Sequence, residues 1–143
     1  MNDQLVVDAS VVIKWFYEED DSAEALQIRE RYQFVAPDLL VAECANIVWK
    51  KVQRGELSSE EALLSVKLLA NTDVELCPMM PLIEQASALS LELRHPAYDC
   101  FYLALAVSRE TAFVTADARL ANVVAQRGTQ SLASRCRLLK PAG

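Results

Sequence analysis

The chain has 143 residues, 52% of them hydrophobic and 24% charged, a balance that supports one globular domain with a proper core and excludes a disordered chain. Its formal net charge of -6 removes any global attraction to nucleic acid, so a polyanionic substrate would need bound cations or a local basic patch. No apolar run reaches transmembrane length, and Met1-Asn2-Asp3-Gln4 lacks a basic leader region, which makes a cytoplasmic protein with no membrane partner the expectation.

Leu5-Val6-Val7 is an apolar, β-branched run without period-two alternation, the pattern of a central strand covered on both faces. It ends in Asp8, which therefore stands at the carboxyl end of a strand, where open α/β sheets place their ligands. Ser10 reads as the N-cap of a helix through Val11 to Phe16. Trp15, Phe16 and Tyr17 are expected to join the core, with a partner surface as the alternative. The acidic run Glu18 to Asp21 reads as a solvated turn, followed by a helix from about Ser22 to Arg31.

Phe34-Val35-Ala36 is a second strand, stopped by Pro37. A strongly apolar helix then runs from Leu39 to Val52 and closes at Gly55. Within it Glu43, Asn46 and Lys50 recur at spacings of three and four and share one face. A Glu on such a helix is costly if buried without a charged or metallic partner; an exposed polar stripe explains the same spacing. Lys50, Lys51 and Arg54 form the densest basic cluster of this half, which suits either RNA contact or a solvated helix end.

Ser58 and Glu61 form a capping box that opens a helix to about Ala70. Val74 to Cys77 is a third strand, ended by Pro78, and Met80 to Leu93 a further helix beginning near Pro81. His95, the only histidine, lies beside Pro96 in a turn and is expected at the surface. From Tyr98-Asp99 a helix runs to about Arg109, with Asp99 in its first turn, as the helix dipole favours. Ala112 to Thr115 is a fourth strand, and Asp117 caps a helix that ends before Gly128. The segment Ser131 to Leu139 supplies a weak fifth strand, and Arg135, Arg137 and Lys140 give the tail a basic character. Cys44, Cys77, Cys100 and Cys136 show no C-x-x-C pairing and read as buried free thiols.

Strands alternate with helices throughout, the grammar of a parallel sheet with helices on both faces. No linker, repeat or low-complexity stretch divides residues 1–143, so a single domain is expected. Asp8 and Asp117 each follow a strand directly; if the first and fourth strands are neighbours, they flank a topological switch point. Glu43 and Asp99 lie in the N-terminal halves of helices that approach the same edge. Four carboxylates gathered there repel one another unless a cation holds them.

Four segments carry a family resemblance: Val6-Val7-Asp8-Ala9-Ser10; Ala36-Pro37-Asp38-Leu39-Leu40 through Glu43 and Asn46; Tyr98-Asp99 with Tyr102-Leu103-Ala104-Leu105-Ala106; and Val114-Thr115-Ala116-Asp117 with Leu120. In this order the chain resembles the PIN-domain ribonucleases, most closely the toxins of VapBC-type toxin-antitoxin pairs. The resemblance implies a five-stranded parallel sheet in the order 3-2-1-4-5 and an acidic quartet of Asp8, Glu43, Asp99 and Asp117. Ser10 or Thr115 would be the accessory hydroxyl and Asn46 a supporting polar group. It further implies magnesium- or manganese-dependent hydrolysis of RNA, with Asp8, Asp99 and Asp117 holding the metal and Glu43 acting on a water. The implied partners are an RNA substrate, a VapB-type antitoxin whose tail covers the acidic pocket, and a second copy of the chain in a homodimer. A housekeeping RNA-processing nuclease and a catalytically idle, protein-binding PIN-like module are the alternatives. A receiver-type signalling domain fits poorly, because Asp8 is followed by Ala9-Ser10 rather than paired with a second acid. A haloacid dehalogenase-type phosphatase fits poorly because Ser10 stands where its second acid belongs.

Overall fold

The computed structural model describes residues 3–139. Five strands form one all-parallel sheet: β1 (Gln4–Val7), β2 (Gln33–Pro37), β3 (Val74–Cys77), β4 (Ala112–Thr115) and β5 (Cys136–Leu138). Their order is β3-β2-β1-β4-β5, so β1 is central and β1 and β4 are neighbours, as the position of their acids requires. Val6 and Val7 point to opposite faces of the sheet, yet both are fully buried, which is possible only with helices against each face.

The helices are α1 (Ala9–Val12), α2 (Ser22–Arg31), α3 (Leu39–Gln53), α4 (Ser59–Ala70), α5 (Ile83–Leu93), α6 (Ala97–Ser108), α7 (Ala118–Arg127) and α8 (Gln130–Arg135). Helix α6 is the most apolar of these and packs across β1, β2 and β4; Tyr102 through Leu105 are buried along it, and the Tyr102 ring stacks on Phe113 with centroids 5.7 Å apart. Burying an aromatic side chain of this kind contributes about 2 kcal/mol or more through its apolar area. Trp15 joins the core as expected, against Phe34 at 4.9 Å, with its indole N–H donating to the Ala25 carbonyl at 2.9 Å. The four cysteines are free thiols, three of them buried. Among the described residues no helix is long and apolar enough to cross a membrane.

Several local expectations change. The helix after β1 is one short α turn that tightens into a 3-10 turn at Ile13–Trp15. Its N-cap position is Asp8, not Ser10; Ser10 lies inside the turn with its hydroxyl directed back at Asp8. Met80–Leu82 is a 3-10 turn before α5, consistent with Pro81 at its start. The first half of the segment assigned to the fifth strand is helix α8, capped by the Thr129 hydroxyl, and only Cys136–Leu138 extends. Ser131 to Arg135 held too few β-formers to make a strand, and the Thr129 cap gives them a helical start. The Ser58–Glu61 capping box is present in both directions. Gly55 adopts φ 75, the left-handed conformation that ends α3 at little steric cost.

Candidate active site

At the carboxyl edge of β1 and β4 lies a cavity of about 230 Å³ lined by Asp8, Ser10, Glu43, Asn46, Lys50, Asp99 and Asp117, with Ala9 and Ile47 completing its wall. Parallel pairing brings the first and last of these acids together. Val7 pairs with Val114, so the chain leaves both strands on the same edge, at Asp8 and at Thr115 to Asp117. Helix α3 adds Glu43, Asn46 and Lys50 from one face, and the first turn of α6 adds Asp99.

Asp8 is the buried centre, 6% exposed. The Ser10 hydroxyl donates to its Oδ1 at 2.5 Å and the Thr115 hydroxyl to its Oδ2 at 2.6 Å. Each hydroxyl also accepts a backbone N–H, Ser10 from Ala116 at 2.9 Å and Thr115 from Asp117 at 3.1 Å. A hydroxyl has one proton to give. With Asp8 ionised both protons are spent on it, so the 3.3 Å approach of Ser10 Oγ to Thr115 Oγ1 is two satisfied oxygens side by side. The Asp8 carboxyl is pushed up to about 7, chiefly by burial; the two hydroxyl hydrogen bonds oppose the rise and the charges of Asp99 and Glu43 contribute to it.

Glu43 is half-buried, and its Oε1 accepts the Tyr102 hydroxyl in a short hydrogen bond. Burial raises its carboxyl above the ordinary range, the Tyr102 hydrogen bond opposes this, and the charge of Asp99 adds to it. Asp99 is bonded through Oδ2 to His95 Nε2 at 2.6 Å. Asp117 stands at the exposed rim, where its Oδ1 accepts the Arg119 N–H at 3.0 Å and the Leu120 N–H at 3.3 Å as the N-cap of α7. The quartet is therefore three acids that feel one another's charge and a fourth that also serves a helix end.

The basic cluster divides. Lys50 lines the acidic cavity. Lys51 turns to Glu56 at 3.7 Å and to the Tyr17 ring at 5.0 Å, and Arg54 also pairs with Glu56, at 3.8 Å. The helical period turns Lys51 away from Lys50, and Arg54 lies beyond the end of α3 as its C-cap, where Glu56 draws it off. In the tail, Arg135 donates to the Thr111 carbonyl at 3.2 Å. That contact lies at the amino edge, because β5 runs parallel to β4 and the chain enters it there. Lys140 lies outside the described residues.

Two contributors were not assigned from the sequence. Tyr102 lies one turn after Asp99, and that spacing was a legible signal. His95 was expected at the surface, yet its side chain is only 14% exposed and contacts Asp99. The i, i+4 spacing was present, but Pro96 between the two residues hid it behind a helix boundary.

Magnesium prefers hard oxygen ligands and is held by one or two carboxylates while keeping several waters. The acids here are of that type, and a cation would relieve both the burial penalty that chiefly raises Asp8 and Glu43 and the mutual repulsion that adds to it. Among the described residues no group of three or more His, Cys, Asp and Glu side chains is arranged to hold a metal by itself.

Comparison with known proteins gives the same answer as the topology. A ribonuclease VapC3 from Pyrobaculum aerophilum is 30% identical over 121 residues, covering 82% of this chain and 92% of that protein. A toxin-antitoxin complex from Klebsiella pneumoniae matches in structure with a TM-score of 0.63 at 14% identity, over 96% of this chain and 99% of that one. Mycobacterium tuberculosis VapC20, described as a sarcin-ricin loop cleaving toxin, matches with a TM-score of 0.65 at 12% identity, over 82% and 93%. At such identities the two structures speak to the fold alone. The family model described as PIN domain matches residues 5–125, and with the 3-2-1-4-5 sheet already in place, this chain belongs to the PIN-domain family.

Proposed function

We propose that the chain is a metal-dependent endoribonuclease and the toxin of a type II toxin-antitoxin pair, acting in the cytoplasm as a homodimer. The observation that carries this reading is the convergence of Asp8, Glu43, Asp99 and Asp117, from four separate elements, on one cavity. The relatives named ribonuclease and toxin-antitoxin complex support it.

In this reading Asp8, Asp99 and Asp117 hold magnesium, or manganese in its place, directly or through water. Such an ion would supply Lewis acidity at a phosphate oxygen and lower the pKa of an attacking water. Glu43 would orient an attacking water and accept its proton; its raised carboxyl pKa makes it a better base than a free glutamate. Ser10 and Thr115 fix the Asp8 carboxylate, and Asn46 adds a polar group one turn from Glu43. Lys50 meets an RNA phosphate at the cavity. An antitoxin segment bearing an arginine would occupy the same acids by a charge-assisted bidentate pair.

The test is expression of the wild-type chain and of Asp8→Asn, with growth measured and RNA ends mapped, and with cleavage by the purified proteins assayed with and without Mg²⁺. Growth arrest and new RNA ends with the wild type alone, lost on chelation, are expected. Equal growth with no new ends overturns the toxin reading; cleavage without growth arrest points to a processing nuclease.

A further inference from the structure

His95 contacts an acid of this site, yet the acidic-quartet chemistry leaves it without a role. Its Nε2 lies 2.6 Å from Asp99 Oδ2, and an ionised carboxylate only accepts, so the imidazole N–H donates. Among the described residues no hydrogen bond is made to the other carboxylate oxygen of Asp99. The histidine thus holds one oxygen and leaves its twin for the cavity.

The imidazole is itself held on a braced turn. The Ser90 hydroxyl donates to the His95 carbonyl at 2.6 Å, and the His95 N–H returns to the Ser90 carbonyl at 3.2 Å. Arg127 reaches from α7 to donate to the Leu93 carbonyl at 2.9 Å and the Arg94 carbonyl at 3.2 Å. Arg94 takes the left-handed conformation, φ 51, and Pro96, the N-cap of α6, fixes its own φ and restricts the backbone of His95 before it. Helices α5 and α7 therefore both fix the place from which the imidazole reaches Asp99. A histidine serving only to satisfy the first turn of α6 would have no need of such bracing, nor of an acceptor that lines the acidic cavity.

We propose that His95 is a positioning residue for the metal site: it locks the Asp99 carboxylate in the orientation that presents its free oxygen to a divalent cation. The inference rests on the reading of Asp99 as a metal ligand. Partners of this kind behind a ligand typically account for 10–100-fold in metal affinity.

The test is Mn²⁺ binding by calorimetry on the purified full chain. His95→Phe keeps ring volume and loses the donor, His95→Gln keeps an N–H donor, and Asp99→Asn reports on the underlying reading. Expected is about 10-fold or more weaker Mn²⁺ binding in His95→Phe and substantial recovery in His95→Gln. In cleavage assays the His95→Phe defect should shrink as Mn²⁺ is raised, which a purely structural role would not produce. If His95→Phe fails to fold, His95→Leu takes its place in the same measurement. Wild-type Mn²⁺ affinity in a folded variant lacking the donor overturns the proposal, whatever happens to its melting temperature. Wild-type affinity in Asp99→Asn overturns the metal-ligand reading first, and the positioning role with it.

Discussion

Thr115 donates its hydroxyl to Asp8 across 107 residues of chain, at 2.6 Å, from the end of the neighbouring strand. The parallel register of β1 on β4 makes this contact, and it ties the central acid of the cavity to the sheet rather than to a loop. Hydrogen bonds to buried charged groups contribute about 1.5–3 kcal/mol. Thr115→Val, which keeps the shape and loses the donor, should destabilise the fold by about 2 kcal/mol at pH 8, where Asp8 is ionised. Thr115→Ser should recover most of that. Urea denaturation of the three proteins measures both effects.

The burial of Asp8 predicts an unusual pH dependence. Its carboxyl is raised from 3.8 to about 7 on folding, so between these values the native state binds more protons than the unfolded chain and stability falls as pH rises. The full contribution is present below pH 4 and is lost by pH 7, a change on the order of a few kcal/mol. In chelator, the wild type should lose stability over this window, and Asp8→Asn should flatten the profile and be the more stable protein at pH 8. A divalent cation should restore the wild type at neutral pH. Melting temperatures from pH 4 to pH 8, with and without Mg²⁺, give the comparison.

Tyr102 is fully buried with its ring stacked on Phe113, and its hydroxyl meets Glu43. Tyr102→Phe preserves the stacking and removes the one hydrogen bond that counteracts the burial of Glu43. Its carboxyl pKa should rise further, so the pH at which cleavage reaches half its maximum should move upward. The maximal rate should fall because Glu43 loses the hydrogen bond that orients it, though by less than the ~100-fold that marks the low end for losing a general base outright. A pH-rate profile on a short RNA under saturating metal resolves the two effects.

Asp117 has two duties that substitutions can separate. It is the N-cap of α7, accepting two backbone N–H groups, and in the proposed mechanism it is a metal ligand. Asp117→Ala should cost about 1 kcal/mol of stability together with cleavage. Asp117→Ser keeps a capping oxygen and should hold stability near the wild type while cleavage is still lost. Thermal melts beside cleavage assays separate the roles.

Much of the architecture was legible in the sequence because local physics decides it. Unbroken β-branched runs such as Leu5 to Val7 need cover on both faces, strand-helix alternation imposes parallel pairing, and Ser58 with Glu61 marks a helix start that the structure bears out in both hydrogen bonds. The acids were legible too, because a carboxylate directly after a buried strand, or early in an apolar helix, is costly without a partner. The family resemblance then supplied the strand order that the structure contains.

Tertiary structure alone decided the rest. Sequence proximity put Lys50, Lys51 and Arg54 into one basic cluster, whereas only Lys50 lines the cavity and Glu56 draws the other two away. Thr129 caps Ser131 to Arg135 as helix by a local bond, whereas the three residues that follow extend because β4 offers them an edge. Asp8, Ser10 and Thr115 meet because β1 and β4 are neighbours, and the hydroxyl of Ser10 turns back to that acid instead of capping the helix ahead of it. The turn that presents His95 to Asp99 is held by Ser90 and Arg127, from two other helices. Propensity and pattern act over a few residues. Which acid has its charge buried, bridged or left at a rim is set by contacts that close over a hundred residues of chain.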